Sequence, residues 1–105
     1  MSAELLAPFK QNITELEAAL GTVELGYVCA WPKYGLAVAL KEGKASVVGT
    51  LKATIFPFKK QAEAQTFTNG AGERAEVMSV YDARVAALDL ARADLKRFEG
   101  ILAAA

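Results

Sequence analysis

The sequence predicts an α+β fold: an antiparallel β-meander of three to four strands, flanked by an N-terminal helix and a long C-terminal helix. Two observations carry this. At both ends of the chain apolar residues recur at alternating three- and four-residue steps, which places each set on one face of a helix. The first set is Leu6, Phe9, Ile13, Leu16 and Leu20; the second is Tyr81, Val85, Leu88, Ala91, Leu95, Phe98 and Leu102. Between them, residues 22 to 56 change to a period of two, that of half-buried strands. Each stripe needs a partner surface, and the sheet between them is the expected one.

The first helix is expected over 3–20, with Ser2 as its N-cap and Gly21 as its stop; Pro8 either kinks it or marks its true start. Strands are expected over 22–31, 36–41 and 45–56. In the first, Val23, Leu25, Tyr27, Cys29 and Trp31 alternate with Glu24, Gly26, Val28 and Ala30. Pro32-Lys33-Tyr34-Gly35 and Lys41-Glu42-Gly43-Lys44 are turns too short for anything but antiparallel pairing. The third strand has the clearest alternation, with Val47, Gly49, Leu51, Ala53 and Ile55 on one side, and Pro57 ends it. A short helix fits 58–67, a loop Asn69-Gly70-Ala71-Gly72, and a short fourth strand 73–78. The last helix is expected over 80–103, because Ser79 followed by Asp82 resembles a capping box. Asp89 with Arg92, Asp94 with Arg97 and Lys96 with Glu99 stand three apart on its wet side.

Composition narrows the function. A chain of 105 residues, 53% of them hydrophobic, is one domain (1–105) able to bury a core without disulfides or metals. Its single cysteine, Cys29, rules out an internal disulfide and fits a reducing, cytoplasmic setting. No apolar run approaches the roughly 20 residues that span a bilayer, so no membrane partner is expected. Asn12-Ile13-Thr14 matches a glycosylation sequon by chance, inside the first helix. The net charge is zero, with 12 basic and 12 acidic residues, which argues against nucleic acid. The charges are unevenly spread. Lys33, Lys41, Lys44, Lys52, Lys59 and Lys60 face Glu42 alone in the strand region, where lysines solvate a sheet and discourage edge pairing.

Catalytic chemistry finds no anchor. Histidine is absent, which excludes Ser-His and Cys-His pairs and the commonest zinc and iron ligand sets. Cys29 lies in register with Tyr27 and Trp31 and reads as a small core hydrophobe. Gly43-Lys44 is not a P-loop end, since Val38 stands where the upstream glycine belongs and Ala45 where the hydroxyl belongs. No catalytic residue, metal or cofactor is expected, and the chain does not read as an enzyme.

Binding has more support. Trp31, Lys33 and Tyr34 flank Pro32 at a hairpin tip, where they present two rings and a lysine to a partner, unless Trp31 closes the core instead. In the loop, Asn69, Gly70 and Gly72 offer backbone N–H groups to an anion beside Arg74. The small residues Gly26, Val28, Ala30, Ala37 and Ala39 form a second sheet face that something must cover. A final helix of about 36 Å overhangs such strands. These two features point to a homo-oligomer whose interface draws on Leu6, Phe9, Ile13, Leu16, Tyr81, Leu88, Leu95 and Phe98. The expected function is a non-catalytic protein-interaction module, such as a small inhibitor, adaptor or assembly component. The alternative is a module for a nucleotide or other anionic metabolite, built from the Trp31/Tyr34 hairpin and the Asn69–Arg74 loop. An apolar groove without polar groups favours the first; a concave, lysine-rimmed pocket favours the second.

Overall fold

The computed structural model describes residues 2–22 and 24–104, and it is α+β. Helix α1 (Ser2–Leu20) leads to β1 (Tyr27–Trp31), β2 (Leu36–Lys41) and β3 (Lys44–Gly49). Then follow helix α2 (Lys59–Ala64), β4 (Glu76–Ser79) and helix α3 (Val80–Ala104). The four strands form one antiparallel sheet in the order β3-β2-β1-β4. No described helix is long and apolar enough to cross a membrane.

Both sheet faces are covered within the chain. Cys29, Trp31 and Val38 pack on one side against Phe56, Ala62 of α2 and Ala75. On the other side, Val28, Ala30 and Ala37 meet Val80 and Ala83 of α3, so the small-residue face is small because a helix lies close on it. That face therefore needs no second copy. The helix α3 in turn supports α1: Leu16 packs against Ala87, Leu88 and Ala91. The stripe of α1 is thus buried on α3 and not on the sheet, and α3 serves as a shared wall between the two. Tyr81 is exposed, because Val80, Ala83 and Ala87 set the buried face of α3 and Tyr81 points about 100° away from it.

Several boundaries differ from the sequence reading for identifiable reasons. Ser2 is the first helical residue and not a cap, and α1 runs unbroken through Pro8. At the other end Gly21 and Thr22 close the helix on the carbonyls of Ala18 and Ala19. The first strand begins at Tyr27, and Leu25 is 88% exposed. Val23, which the alternation places in that strand, lies outside the described residues. Ser79 caps α3 through its Oγ, which accepts from the Asp82 N–H at 3.0 Å. Arg97 bonds Asp94 at 3.3 Å as the spacing predicts, but Arg92 reaches across to Glu17 of α1 at 3.0 Å instead of pairing with Asp89.

The largest departure is the third strand. It stops at Gly49, and a single 3₁₀ turn (Thr50–Lys52) follows, held by a bond from Thr50 Oγ1 to the Gly35 carbonyl at 2.8 Å. That turn carries Leu51 to the cluster around Leu16 and Leu88. The chain then re-enters the sheet in extended form. Pairing of β1 with β2 is confined to Ala30↔Ala37 and Trp31↔Leu36, and the strands fork beyond it. Residues 54–56 fill the fork: the Thr54 N–H donates to the Val38 carbonyl at 3.1 Å, while Tyr27 and Phe56 exchange both backbone bonds at 2.8 Å. Gly26 makes this possible. Its φ is +140°, and a Cβ there would stand 2.6 Å from Ile55 Cγ2 and 2.8 Å from the Phe56 carbonyl oxygen.

Gly26→Ala should therefore lower the unfolding free energy by about 2–4 kcal/mol in urea titration, through combined strain and overlap. Gly70→Ala, where an added Cβ meets nothing within 4 Å, should leave the midpoint within about 0.5 kcal/mol of the parent.

Candidate interaction site

The fold brings the hairpin tip and the distant loop together. The 3₁₀ turn Pro32–Tyr34 ends at Gly35, whose φ of 65° and N–H bond to the Pro32 carbonyl reverse the chain. Trp31 is only 3% exposed; its indole Nε1 donates to the Glu73 carbonyl at 2.9 Å and its ring meets Phe67 edge-on at 5.1 Å. It closes the core. Tyr34 is exposed and its hydroxyl donates to Glu73 Oε1 at 2.7 Å, with Lys33 Nζ 3.6 Å from the same oxygen. Glu73, which the sequence reading left out, is the hub of this cluster. The hydrogen bond to Glu73 comes first among the causes that raise the Tyr34 phenol above its ordinary value; burial and the carboxylate's charge follow.

The loop residues are adjacent to this tip, but the N–H groups of Asn69, Ala71, Gly72 and Glu73 are occupied. Asn69 Oδ1 accepts from the Ala71 and Glu73 N–H groups at 2.9 and 3.0 Å, and the Gly72 N–H bonds the Asn69 carbonyl at 3.0 Å. An anion cradle needs such groups turned outward, whereas here they are turned onto Asn69. Arg74 is held by Thr66 Oγ1 at 2.9 Å. Gly70 is exposed at the loop apex. The cleft between tip and loop, about 270 Å³, is bordered by Glu73 and Glu76 as well as Lys33 and Arg74. A larger cleft of about 330 Å³ beside the 3₁₀ turn at Thr50 carries Glu15 and Asp94 against Lys52. Neither has a lysine rim.

A different surface stands out at the far end of the helical pair. Here α1 and α3 run antiparallel, and Phe9 and Phe98 stack with ring centroids 4.8 Å apart. Leu5, Leu6, Phe9, Phe98, Ile101 and Leu102 line a groove of about 350 Å³ with no polar side chain among them. Leu5 is 61% and Ile101 56% exposed, while Phe9 and Leu102 are half-buried. Of the stripe residues read as an interface, Leu6, Leu16 and Leu88 are buried inside the monomer, and Ile13, Leu95 and Phe98 are half-buried along the seam. The far end of that seam is open.

At the opposite end of the same helical pair a buried charge joins the elements. Arg84, on the buried face of α3, donates from Nη1 to the Ala19 carbonyl at 3.1 Å and from Nη2 to Glu24 Oε2 at 2.7 Å. The helix α1 has no basic residue in its last turn, so Arg84 supplies the cation that its C-terminal dipole favours. The sequence signal for this was an arginine within the run Val80, Ala83, Ala87 and Leu88, a charge on an apolar face. Cys29 is buried and its thiol donates to the Ala62 carbonyl at 2.8 Å; burial pushes its pKa up. Among the described residues no three His, Cys, Asp or Glu side chains lie together as a metal site. No protein family, curated protein or solved structure matches this chain.

Trp31→Ala should cost about 3–5 kcal/mol, as removal of a buried aromatic ring does, whereas Tyr34→Phe should cost at most about 1 kcal/mol; urea unfolding separates them. The raised Cys29 pKa means that the unfolded thiol ionises first as pH climbs. Stability should be intact below about 8.5 and decline above it, less steeply in Cys29→Ala than in the parent. Chemical denaturation at a series of alkaline pH values measures the difference.

Proposed function

We propose that this chain is a non-catalytic protein-interaction module that receives an amphipathic helix of a partner protein in the groove between the ends of α1 and α3. The observation that carries the reading is the all-apolar lining of that groove, from Leu5 to Leu102. An extended peptide would bring unpaired backbone N–H and C=O groups to a surface that offers them no partner. A helix satisfies its own backbone and presents only side chains, and its ridges fit between two helices as a third member of a bundle. A nucleotide or other anionic metabolite has no orienting group in this groove, and the Asn69 loop spends the N–H groups of Ala71 and Glu73 internally. The exposed Leu5 and Ile101 are the anchors, with Phe9 and Phe98 as the floor.

The test uses a short, Leu-rich amphipathic helical peptide titrated into the protein and followed by methyl and aromatic NMR. Shift changes should fall on Leu5, Phe9, Phe98 and Ile101. Ile101→Lys should abolish them while keeping the parent unfolding midpoint, since that side chain is exposed. An unshifted spectrum, or changes centred on Trp31 and Tyr34, would overturn the proposal.

A further inference from the structure

The free edge of β3 offers a second and independent surface, and we propose that it pairs with the same edge of a second copy, antiparallel and centred on Val47. β3 is the outermost strand of the sheet and pairs with β2 alone. Five of its six residues are exposed, Val47 by 46%, so β3 stands clear of the core on both faces, whereas Ala37 and Val38 of β2 are buried.

The hairpin geometry fixes which backbone groups face outward. Glu42 and Gly43 form a two-residue loop with φ of 53° and 78°, and Lys41↔Lys44 closes it. In such a loop the closing pair exchanges hydrogen bonds, and bonded pairs then alternate with unbonded ones along the ladder. Ala39↔Ser46 and Ala37↔Val48 are therefore bonded, while Leu40↔Ala45, Val38↔Val47 and Leu36↔Gly49 are not. The fork provides a separate check. The Leu40 N–H donates to Thr54 Oγ1 and the Val38 carbonyl accepts from Thr54, so both residues turn their backbone away from β3. Their opposite numbers, Ala45 and Val47, turn theirs away from β2, as does Gly49.

These three residues are symmetric about Val47. Antiparallel pairing of Val47 with the Val47 of a second copy sets Ala45 against Gly49 on each side, and every outward N–H meets an outward carbonyl. The edge holds no device against this. From Ala45 to Gly49 there is no charge, proline or bulge, and Lys44 sits at the end of the strand, opposite no lysine in this register. Ser46 falls opposite Val48, and no like charges meet. A second copy is the favoured occupant because the symmetric register satisfies both edges at once.

Light scattering across a wide concentration range should show a rise from 11.2 kDa towards twice that mass. Amide exchange should slow with concentration at Ala45, Val47 and Gly49, and not at Ser46 or Val48, whose N–H groups already bond β2. Val47→Pro removes an N–H that the monomer does not use, and Val47→Lys keeps it while adding an edge charge; both should hold the mass at 11.2 kDa. Circular dichroism confirms which of the two variants retains the fold. A monomer at every concentration would overturn the proposal. So would an oligomer that survives Val47→Lys, including one that Ile101→Lys abolishes, which would place the contact in the groove.

Discussion

The reciprocal pairing of Tyr27 with Phe56 is the constraint on which the rest of the structure depends. It pins the returning segment into the fork between β1 and β2, and so closes the gap that their two-pair contact leaves open. With that segment in place, Phe56 completes the core around Cys29, Trp31 and Val38, and Thr54 satisfies backbone groups of β2 that would otherwise be buried without partners. The same pairing places Gly26 next to Ile55, and the Gly26 carbonyl accepts from the Val80 N–H at 3.2 Å, where α3 begins. One close backbone approach thus sets the sheet, the start of α3 and, through α3, the seat of α1.

The protein divides its surface by the chemistry of its ends. At one end of the helical pair a buried guanidinium joins α1 to the chain that follows it, and at the other two phenylalanines stack beneath exposed aliphatic side chains. Charge fixes the geometry at the first end, and apolar burial with ring packing holds the helices together at the second. The Trp31 hairpin and Asn69 loop, joined through Glu73, are a self-satisfied corner: the indole, the phenol and the Ala71 and Glu73 amides find partners inside the cluster.

Much of the fold was legible because hydrophobic period reports local conformation faithfully. The helices at both ends, the tight turn at Glu42-Gly43 and the Ser79 cap all appear where the sequence places them. Residues 50 to 56 show the boundary of that method. Their alternation correctly signals extended backbone near Thr54–Phe56, but period carries no information about which strand a segment pairs with, and the turn at Thr50 hands it from β2's outer side to the fork. Trp31 was ambiguous for a related reason, since an aromatic residue before a proline fits both a core edge and a binding tip. The open groove was partly visible: helical spacing marks Leu6, Phe9 and Phe98 but cannot say that the middle of the stripe is consumed by the neighbouring helix while its end stays open. Glu73 carries no local pattern of its own and Arg84 shows only as a charge on an apolar face, because their roles come from contacts made 42 and 65 positions away.

That separation has a consequence for the making of the protein. The hydrogen bonds that seat α1 on α3 join residues 65 and 75 positions apart, and Phe9 meets Phe98 still further along the chain; α3 also supplies Ala87, Leu88 and Ala91 beneath Leu16. At roughly 5–20 residues per second, a ribosome takes about 3–15 s to produce that partner after the first helix has emerged. Throughout that interval Leu6, Phe9 and Leu16 lack the α3 surface that buries them. The first helix therefore docks only after α3 has been made, and the nascent chain carries this apolar face outward until then.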